Sequence, residues 1–347
     1  MLIAFFINDL EREHSGYTTT VLAHQAAVRG HRVCYVTPHD FVLRPDDTLW
    51  VHARRMPKRK YKDREDFFAT LKSAKTKVEP IDIAEIDVLM LRNDPSIDAE
   101  TPWAMEAGIL FGREAVRRGT IVLNDPDSLG RAINKLYFQS FPAEARAETL
   151  ISKHGDDIKA FAKAHQGNII LKPLQGSGGS GVFKLDAKSK SNLNQIIEAI
   201  GRDGYIIAQA YVPAAKKGDI RLFLMNGEPL RIGGKYAALR RVASPDDIRS
   251  NIHAGGKAEA VEIGETELRV AELIRPKLVA DGMFLVGIDI VGDKILEVNV
   301  FSPGNLNSCS RLAGVDFADP ILDSIERKVS IAAEHAYNFD NRHLAVL

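Results

Sequence analysis

Leu2 to Ile7 is an unbroken apolar run, Leu-Ile-Ala-Phe-Phe-Ile, and such a run constrains what must surround it. A strand with no polar face is covered on both sides of its sheet. Thr18 to Arg29 follows with helical character, Gly30 stands where a helix stop belongs, and His31 to Val36 is a second strand. Ile86 to Leu91, Ala99 to Arg118 closed by Gly119, and Thr120 to Leu123 continue the alternation. Strands separated by helices predict a parallel sheet with crossover connections, an α/β unit. The opening run lacks a basic flank and meets Asp9, Glu11 and Arg12 at once. It therefore reads as a first buried strand and not as a signal peptide.

At 347 residues the chain is longer than one small core needs, and the turn cluster Asn124-Asp125-Pro126 is a plausible boundary. Beyond it the pattern predicts a helix over 127–141, then α+β structure. Strands are expected at 148–152, 168–172, 182–185, 205–211, 219–225 and 228–237. Helices are expected at 156–165, 191–202, 266–280 and 319–335. Met283 to Val291 and Lys294 to Val300 read as two strands joined by Gly292-Asp293, a two-residue hairpin turn.

Several function classes fall away. Lys plus Arg and Asp plus Glu number 46 each, so no charge excess favours nucleic acid or an anionic membrane surface. The charge run from Arg54 to Arg64 reads as a solvated loop or edge hairpin, because only Tyr61 interleaves it. No apolar run approaches the length of a spanning helix. Cys34 and Cys309 are the only cysteines, which excludes a disulfide framework and fits a reducing cytoplasm. No zinc-type His/Cys spacing and no nucleophile elbow occurs.

Three constellations carry chemistry. The first is Gly176-Ser177-Gly178-Gly179-Ser180-Gly181. Its spelling matches a dinucleotide fingerprint, but Val182 to Leu185 continues as a strand where that fingerprint opens a helix. It reads as a glycine hairpin whose amides close over phosphates, with a plain surface turn as the alternative. Lys172 ends the apolar strand four residues earlier, placed to meet a phosphate as a point charge. The second is acidic. Glu297 and Asn299 share one face of their strand, and the hairpin can bring Asp289 to that face. Three hard oxygen ligands suit Mg²⁺, against the alternative of a polar face in water. The third is a set of arginines, Arg221, Arg240, Arg241 and Arg249, suited to carboxylates and transferring phosphoryl groups.

With these in hand, the chain resembles the ATP-grasp ligases and, within them, the bacterial glutathione synthetases. The motifs that carry the resemblance are Leu91-Arg-Asn-Asp-Pro95, Asn134-Lys135-Leu136, Ile170-Leu-Lys172-Pro-Leu and the loop 176–181. They continue with Ala208-Gln209-Ala-Tyr211-Val-Pro213, Gly218-Asp219-Ile-Arg221, the stretch 249–256, Val286-Gly-Ile-Asp289-Ile and Glu297-Val-Asn299-Val-Phe-Ser302-Pro303. The resemblance implies an N-terminal parallel-sheet pre-ATP-grasp domain (1–124), a lid subdomain with the glycine loop (125–203) and a C-terminal catalytic subdomain (204–347). It implies that Lys135, Lys172 and the glycines Gly176, Gly178, Gly179 and Gly181 contact ATP phosphates. Gln209, Tyr211 and Val212 would meet adenine, and Asp219 the ribose. Asp289, Glu297 and Asn299 would hold Mg²⁺ or Mn²⁺. Arg221, one of Arg240 or Arg241, Arg249 and Asn251 would bind the γ-phosphate and substrate carboxylates. Asp9, Thr19, Arg92, Asp94 and Ser302 would line the substrate pocket.

The implied reaction is amide formation through an acyl-phosphate, from a small carboxylic acid or dipeptide and an amine, in a cytoplasmic homo-oligomer with no nucleic-acid or membrane partner. The family's substrates would be γ-glutamylcysteine and glycine. A related ligase for another peptide-like acid and amine is the alternative. A non-catalytic nucleotide-binding scaffold ranks below both, since the chain keeps every metal ligand and arginine. After the metal ligands, Phe301-Ser302-Pro303-Gly304-Asn305-Leu306 departs from the family's usual Thr-Ser-Pro-Thr-Gly and Arg-Glu-Ile stretch.

Overall fold

The computed structural model describes residues 1–175, 181–186, 192–202, 204–242, 256–335 and 339–347. The first sheet is built from β1 (Leu2–Phe6), β2 (Arg32–Val36), β3 (Phe41–Leu43), β4 (Leu49–Arg55), β5 (Val78–Asp82), β6 (Val88–Leu91) and β7 (Ile121–Leu123), in the order β3-β4-β2-β1-β6-β7 with β5 on β4. Strands β2, β1, β6 and β7 are parallel, as the alternation predicts. Helices α1 (Thr18–Val28), α2 (Arg64–Lys72) and α3 (Pro102–Arg117) connect them. The apolar run of β1 splits by parity. Leu2, Ala4 and Phe6 pack with Ala107 and Ile109 of α3, whereas Ile3 and Phe5 pack with Leu22 and Ala26 of α1. Both faces are dry, and every residue of β1 is buried.

Strands β3, β4 and β5 are additional to those predicted. They form an antiparallel extension, and Arg54 and Arg55 of the charge run belong to β4, paired with β2. The helix predicted over 127–141 is two pieces, α4 (Pro126–Arg131) and a separate 3₁₀ turn over Lys135–Ser140. Asn134 starts the second piece by accepting the Leu136 amide at 3.0 Å.

The second sheet is small: β8 (Thr149–Ser152), β9 (Ile169–Pro173), β10 (Phe183–Leu185) and β11 (Ile206–Ala210), in the order β10-β9-β11-β8, backed by α5 (Gly155–Ala164) and α6 (Leu193–Gly201). β11 lies past residue 203 yet pairs with both β8 and β9, so this sheet takes residues that the expected boundary gives to the third segment. Its core, which includes Ile158, Leu171, Leu185 and Ile206, is a cluster of its own.

The third sheet contains β12 (Asp219–Met225), β13 (Glu228–Pro229), β16 (Ala238–Val242), β17 (Lys257–Glu259), β18 (Leu285–Val291) and β19 (Lys294–Asn299). Its order is β17-β16-β12-β18-β19 with β13 on β12, and a two-stranded ribbon of β14 (Arg231–Ile232) and β15 (Lys235–Tyr236) stands beside it. The continuous strand predicted over 228–237 is broken at Gly233 and Gly234, whose φ values of 53° and 81° turn the chain back. Helices α7 (Glu265–Ala280), α8 (Leu306–Ala313) and α9 (Ala318–Glu334) cover the sheet, and α10 (Asn341–Leu344) closes the chain. The first and third sheets share both large cores. Asn124 joins them: its amide accepts the Leu285 N–H at 2.9 Å and donates to the carbonyls of Leu285 and Val300.

Candidate active site

Side chains alternate along a strand, so register alone gathers the charges on one face of the third sheet. Arg241 lies opposite Asp219, Arg221 opposite Asp289, Asp289 opposite Glu297, and Gly287 opposite Asn299. Arg221 Nε and Nη2 donate to the two oxygens of Asp289 at 2.5 and 3.0 Å. Arg241 contacts Asp289 Oδ2 at 2.7 Å and donates twice to Asp219 Oδ2, at 2.5 and 2.9 Å. All four side chains are buried. Charges held away from water need partners of this quality. Burial works against the Asp289 carboxylate, but the two guanidinium groups overcome it and hold its pKa below the ordinary value.

Parity also separates the two adjacent arginines. Arg240 lies on the opposite face, beside Ile220 in register, and donates to the Lys217 carbonyl at 3.4 Å. It stands apart from the charge cluster, and Arg241 is the one that enters it. Two glycines permit the arrangement. A side chain at Gly218 (φ 85°) would put its Cβ 2.0 Å from the Arg241 carbonyl oxygen. At Gly287 a Cβ would stand 2.9 Å from Pro303 and 3.1 Å from the Arg221 stem, which crosses there to reach Asp289.

Glu297 is held differently. Among the described residues its carboxylate has no hydrogen bond or ion pair. Burial, then the charge of Asp289, push its pKa up, with Lys172 and Lys135 opposing. Asn299 Nδ2 lies 3.3 Å from the Gly287 carbonyl and 3.4 Å from Asp289 Oδ2, so all three expected metal ligands are neighbours. Two carboxylates and an amide oxygen, one carboxylate without a cation of its own, fit a hard divalent cation.

The small sheet supplies one facing cation, Lys172 of β9, and the 3₁₀ turn before that sheet supplies another, Lys135. The Lys172 pKa is lowered to about 8, chiefly by burial, with the Glu297 charge opposing and the Lys135 charge adding to the shift. Burial also lowers Lys135, against the charges of Glu297 and Asp94. Lys172 Nζ donates to Gln209 Oε1 at 3.2 Å, and the Lys135 amide donates to Leu174 O at 3.1 Å. Tyr211 donates its amide to Asn168 O, and its ring lies 4.0 Å below Lys184 Nζ. Val212 follows, half-buried, where the chain leaves the small sheet. β9 and β10 pair antiparallel, Phe183 opposite Leu171, so the glycine loop joins antiparallel strands as expected. Gly181 has φ 68°. Gly176, Gly178, Gly179, Arg249 and Asn251 lie outside the described residues.

The first sheet brings a further cation. Arg92 leaves the carboxyl end of β6 and is 4% exposed, yet no carboxylate among the described residues is within ion-pair distance. Its Nε donates to Thr19 Oγ1 at 3.4 Å and its Nη2 to Pro303 O at 3.1 Å. Burial pushes its pKa down to about 10. The next carbonyl, Gly304 O, accepts Arg221 Nη1 at 3.3 Å, so one turn ties the two arginines together. Ser302 is half-buried at the start of that turn. Asp94 is used locally: its Oδ1 accepts the Ser96 amide and hydroxyl at 2.9 and 2.7 Å, capping a short turn. Asp9 is exposed and accepts the Glu11 amide at 2.9 Å. Glu13, which no sequence motif marks, is buried beside Thr20 at 3.1 Å, and burial raises its pKa to about 7 against the Arg92 charge.

The chain is similar to known proteins in sequence and in fold. The family model for the prokaryotic glutathione synthetase N-terminal domain matches residues 1–130, and that for its ATP-grasp domain matches residues 134–314. The chain belongs to the prokaryotic glutathione synthetase family. The glutathione synthetase of Agrobacterium fabrum is 34% identical over 317 residues, covering 90% of this chain and 92% of that one. That of Gloeobacter violaceus is 34% identical over 333 residues, covering 93% and 96%. Among solved structures, the D-cycloserine synthetase DcsG superposes with a TM-score of 0.60 at 13% identity, over 93% of this chain and 99% of the other. The ATP-grasp ligase PsnB, complexed with minimal precursor, Mg and ADP, gives 0.57 at 18% identity, over 94% and 98%. The fold is that of ATP-grasp ligases. Like other members of the glutathione synthetase family, the chain is an ATP-dependent carbon–nitrogen ligase.

Proposed function

We propose that the chain joins the carboxylate of γ-glutamylcysteine to the amine of glycine, with ATP as phosphoryl donor and Mg²⁺ at Asp289, Glu297 and Asn299. The observation that carries this reading is the Glu297 carboxylate, without an ion-pair partner among the described residues, between the two lysines and the arginine-gripped Asp289. A divalent cation there would neutralise phosphate oxygens during transfer. Lys135 and Lys172 meet the phosphates across the cleft from it, with the 176–181 loop as lid. The Gln209–Val212 segment faces adenine, and Asp219 serves the ribose side through its bonded position beside Arg241. Arg221 and Arg241 are fixed before substrate arrives, so their charge opposes the developing negative charge without reorganisation. Arg249 and Asn251 join them at the γ-phosphate and the carboxylates.

A carboxylate is a poor acyl donor at neutral pH. Passing the γ-phosphoryl to it gives an acyl-phosphate, which the amine attacks, and phosphate leaves. Excluding water protects that species from hydrolysis. Arg92 and Thr19, with Asp9, Asp94 and Ser302 around them, hold the acid. Its carboxylate gives buried Arg92 the anion that the described residues do not provide. The proposal includes a cytoplasmic homo-oligomer acting on small molecules, without nucleic-acid or membrane partners. Both cysteines are free and buried, and among the described residues no helix is long and apolar enough to cross a membrane.

Incubation with ATP, Mg²⁺, γ-glutamylcysteine and glycine tests this. ADP should form only with both substrates present. The departures at Phe301 and Gly304, which flank the matching Ser302-Pro303 pair, favour a second reading, a ligase for another peptide-like acid and amine, because they border the Pro303 carbonyl on which Arg92 is anchored. ADP formed with a different acid–amine pair, and none with this one, would establish that reading. Nucleotide binding without turnover on any pair would leave a scaffold.

A further inference from the structure

A cavity of about 470 Å³ opens in the first sheet at the end away from the candidate active site. Its walls are the turn between α1 and β2, the end of β4 with the turn after it, and residues 75–79. β4 runs antiparallel to β2, with Arg55 opposite Cys34, so these walls surround the amino ends of the parallel strands. Arg92 stands at their carboxyl ends. The two sites are on opposite edges of one sheet.

The lining is basic in a chain of zero net charge. Arg32, Arg55, Lys58, Arg59, Lys75 and Lys77 face the cavity, with Glu79 as its one carboxylate. Arg55 pairs with Glu79 at 3.3 Å and Arg59 with Asp66 at 2.6 Å. Among the described residues, Arg32, Lys58, Lys75 and Lys77 have no carboxylate within ion-pair distance. Beneath the cations the floor is apolar, from Val33 and Met56, both buried. Like charges crowded around one hollow repel each other, and an anion relieves that repulsion.

We propose that this cavity is a second ligand site, for a small organic phosphate whose phosphate groups meet the unpaired cations and whose apolar portion lies on Met56 and Val33. Lysine and arginine serve phosphates as point charges and forks. A nucleic-acid strand is disfavoured because it needs successive aromatic faces for stacking. Here the rings are Tyr61, covered by the Arg59 guanidinium at 4.4 Å, and His31, tied to Glu326 at 2.7 Å.

The test is calorimetric, on the full chain with one equivalent of a non-hydrolysable ATP analogue and Mg²⁺, which fills the ATP site and leaves the cavity open to the probe. Guanosine 5′-diphosphate is the probe. One further equivalent should bind, and the variant Lys58→Glu/Lys75→Glu/Lys77→Glu should weaken it by about tenfold or more while leaving affinity for the analogue unchanged. Those three lysines are exposed, so the variant is expected to fold. No second binding event up to millimolar probe would overturn the proposal, as would binding that survives the triple variant. Inorganic pyrophosphate should bind several-fold more weakly than the nucleotide, and equal affinity would remove the role given to the floor. A single-stranded oligonucleotide that binds the wild type more tightly than the probe, and loses that affinity in the variant, would assign the cavity to nucleic acid instead.

Discussion

Two buried arginine sites lie either side of the turn at Pro303-Gly304, and they are finished to different degrees. Arg221 and Arg241 are fully engaged with Asp289 and Asp219. Arg92, equally buried, has a hydroxyl and a carbonyl but no carboxylate partner among the described residues. The first arrangement is a preassembled electrostatic scaffold, whose cost of burial is offset within the protein. The second leaves a desolvated cation for a substrate anion to complete. On the proposed reading, a site of the first kind determines whether chemistry proceeds, and one of the second kind determines which acid enters.

The sharpest way to break the distinction is Asp289→Ala. It removes a proposed metal ligand and leaves Arg221 without its carboxylate. Turnover should fall by about a thousandfold or more, on the scale seen when transition-state electrostatics are removed. Breaking a buried pair costs roughly 3–5 kcal/mol of stability. Asp289→Asn, nearly isosteric, should lose turnover with a smaller loss of thermal stability. Normal ADP release in either variant would remove the metal assignment. Arg92→Met should behave otherwise. The KM for the acid should rise by about ten- to a hundredfold, the range for losing a charge-assisted hydrogen bond, with affinity for ATP unchanged. An equal loss of ATP affinity would show that the two arginine sites are one.

The difference between the sites also explains what the sequence reveals. The charge cluster of the third sheet is legible because its residues lie on regular strands. A hairpin with Asp289 opposite Glu297 follows from alternation and a two-residue turn, and so does the parallel core around Leu2 to Phe6. Parity also distinguishes Arg241 from Arg240, once the register with Asp219 is known. The acid side was less legible because its geometry is irregular and non-local. Glu13 sits in a loop without periodicity, and its neighbours Thr20 and Arg92 come from a helix and a distant strand end. Asp94 looks like a pocket residue by motif, but its Oδ1 is engaged by the turn it caps. The anchoring carbonyls of Pro303 and Gly304 have no side-chain signature at all. Strands β3 and β5 were missed because they are short and carry little alternation, and β4 because it runs into the charge run at Arg54 and Arg55, although Leu49, Val51 and Ala53 are buried in turn.

Lys172 lies near Glu297 and tests the proposed ATP side without disturbing either arginine site. Lys172→Ala should weaken ATP binding by about tenfold, since one charge-assisted contact to phosphate is worth roughly 1.5–3 kcal/mol. Unchanged affinity in direct binding titrations would remove the phosphate role.

The smallest effect is the dependence of ATP affinity on pH. Burial lowers the Lys172 pKa to about 8, so in the ligand-free protein the amine is charged below that value and increasingly neutral above it. A bound triphosphate favours the charged form. Below pH 8 the proton is already present and binding requires no uptake. Above pH 8 each binding event must draw a proton onto Lys172, so affinity should fall as pH rises, by at most about tenfold per unit. Calorimetry at pH 9 in buffers of different ionisation enthalpy should register that uptake, and Lys172→Ala should abolish it. The arginine-gripped Asp289 contributes nothing in this range, because its pKa is held below the ordinary carboxylate value and it stays ionised throughout. A flat pH response in the wild type would mean that Lys172 keeps its proton through its neighbour Glu297. That would make the two halves of the cleft, like the scaffold arginines and unlike Arg92, electrostatically complete before ATP arrives.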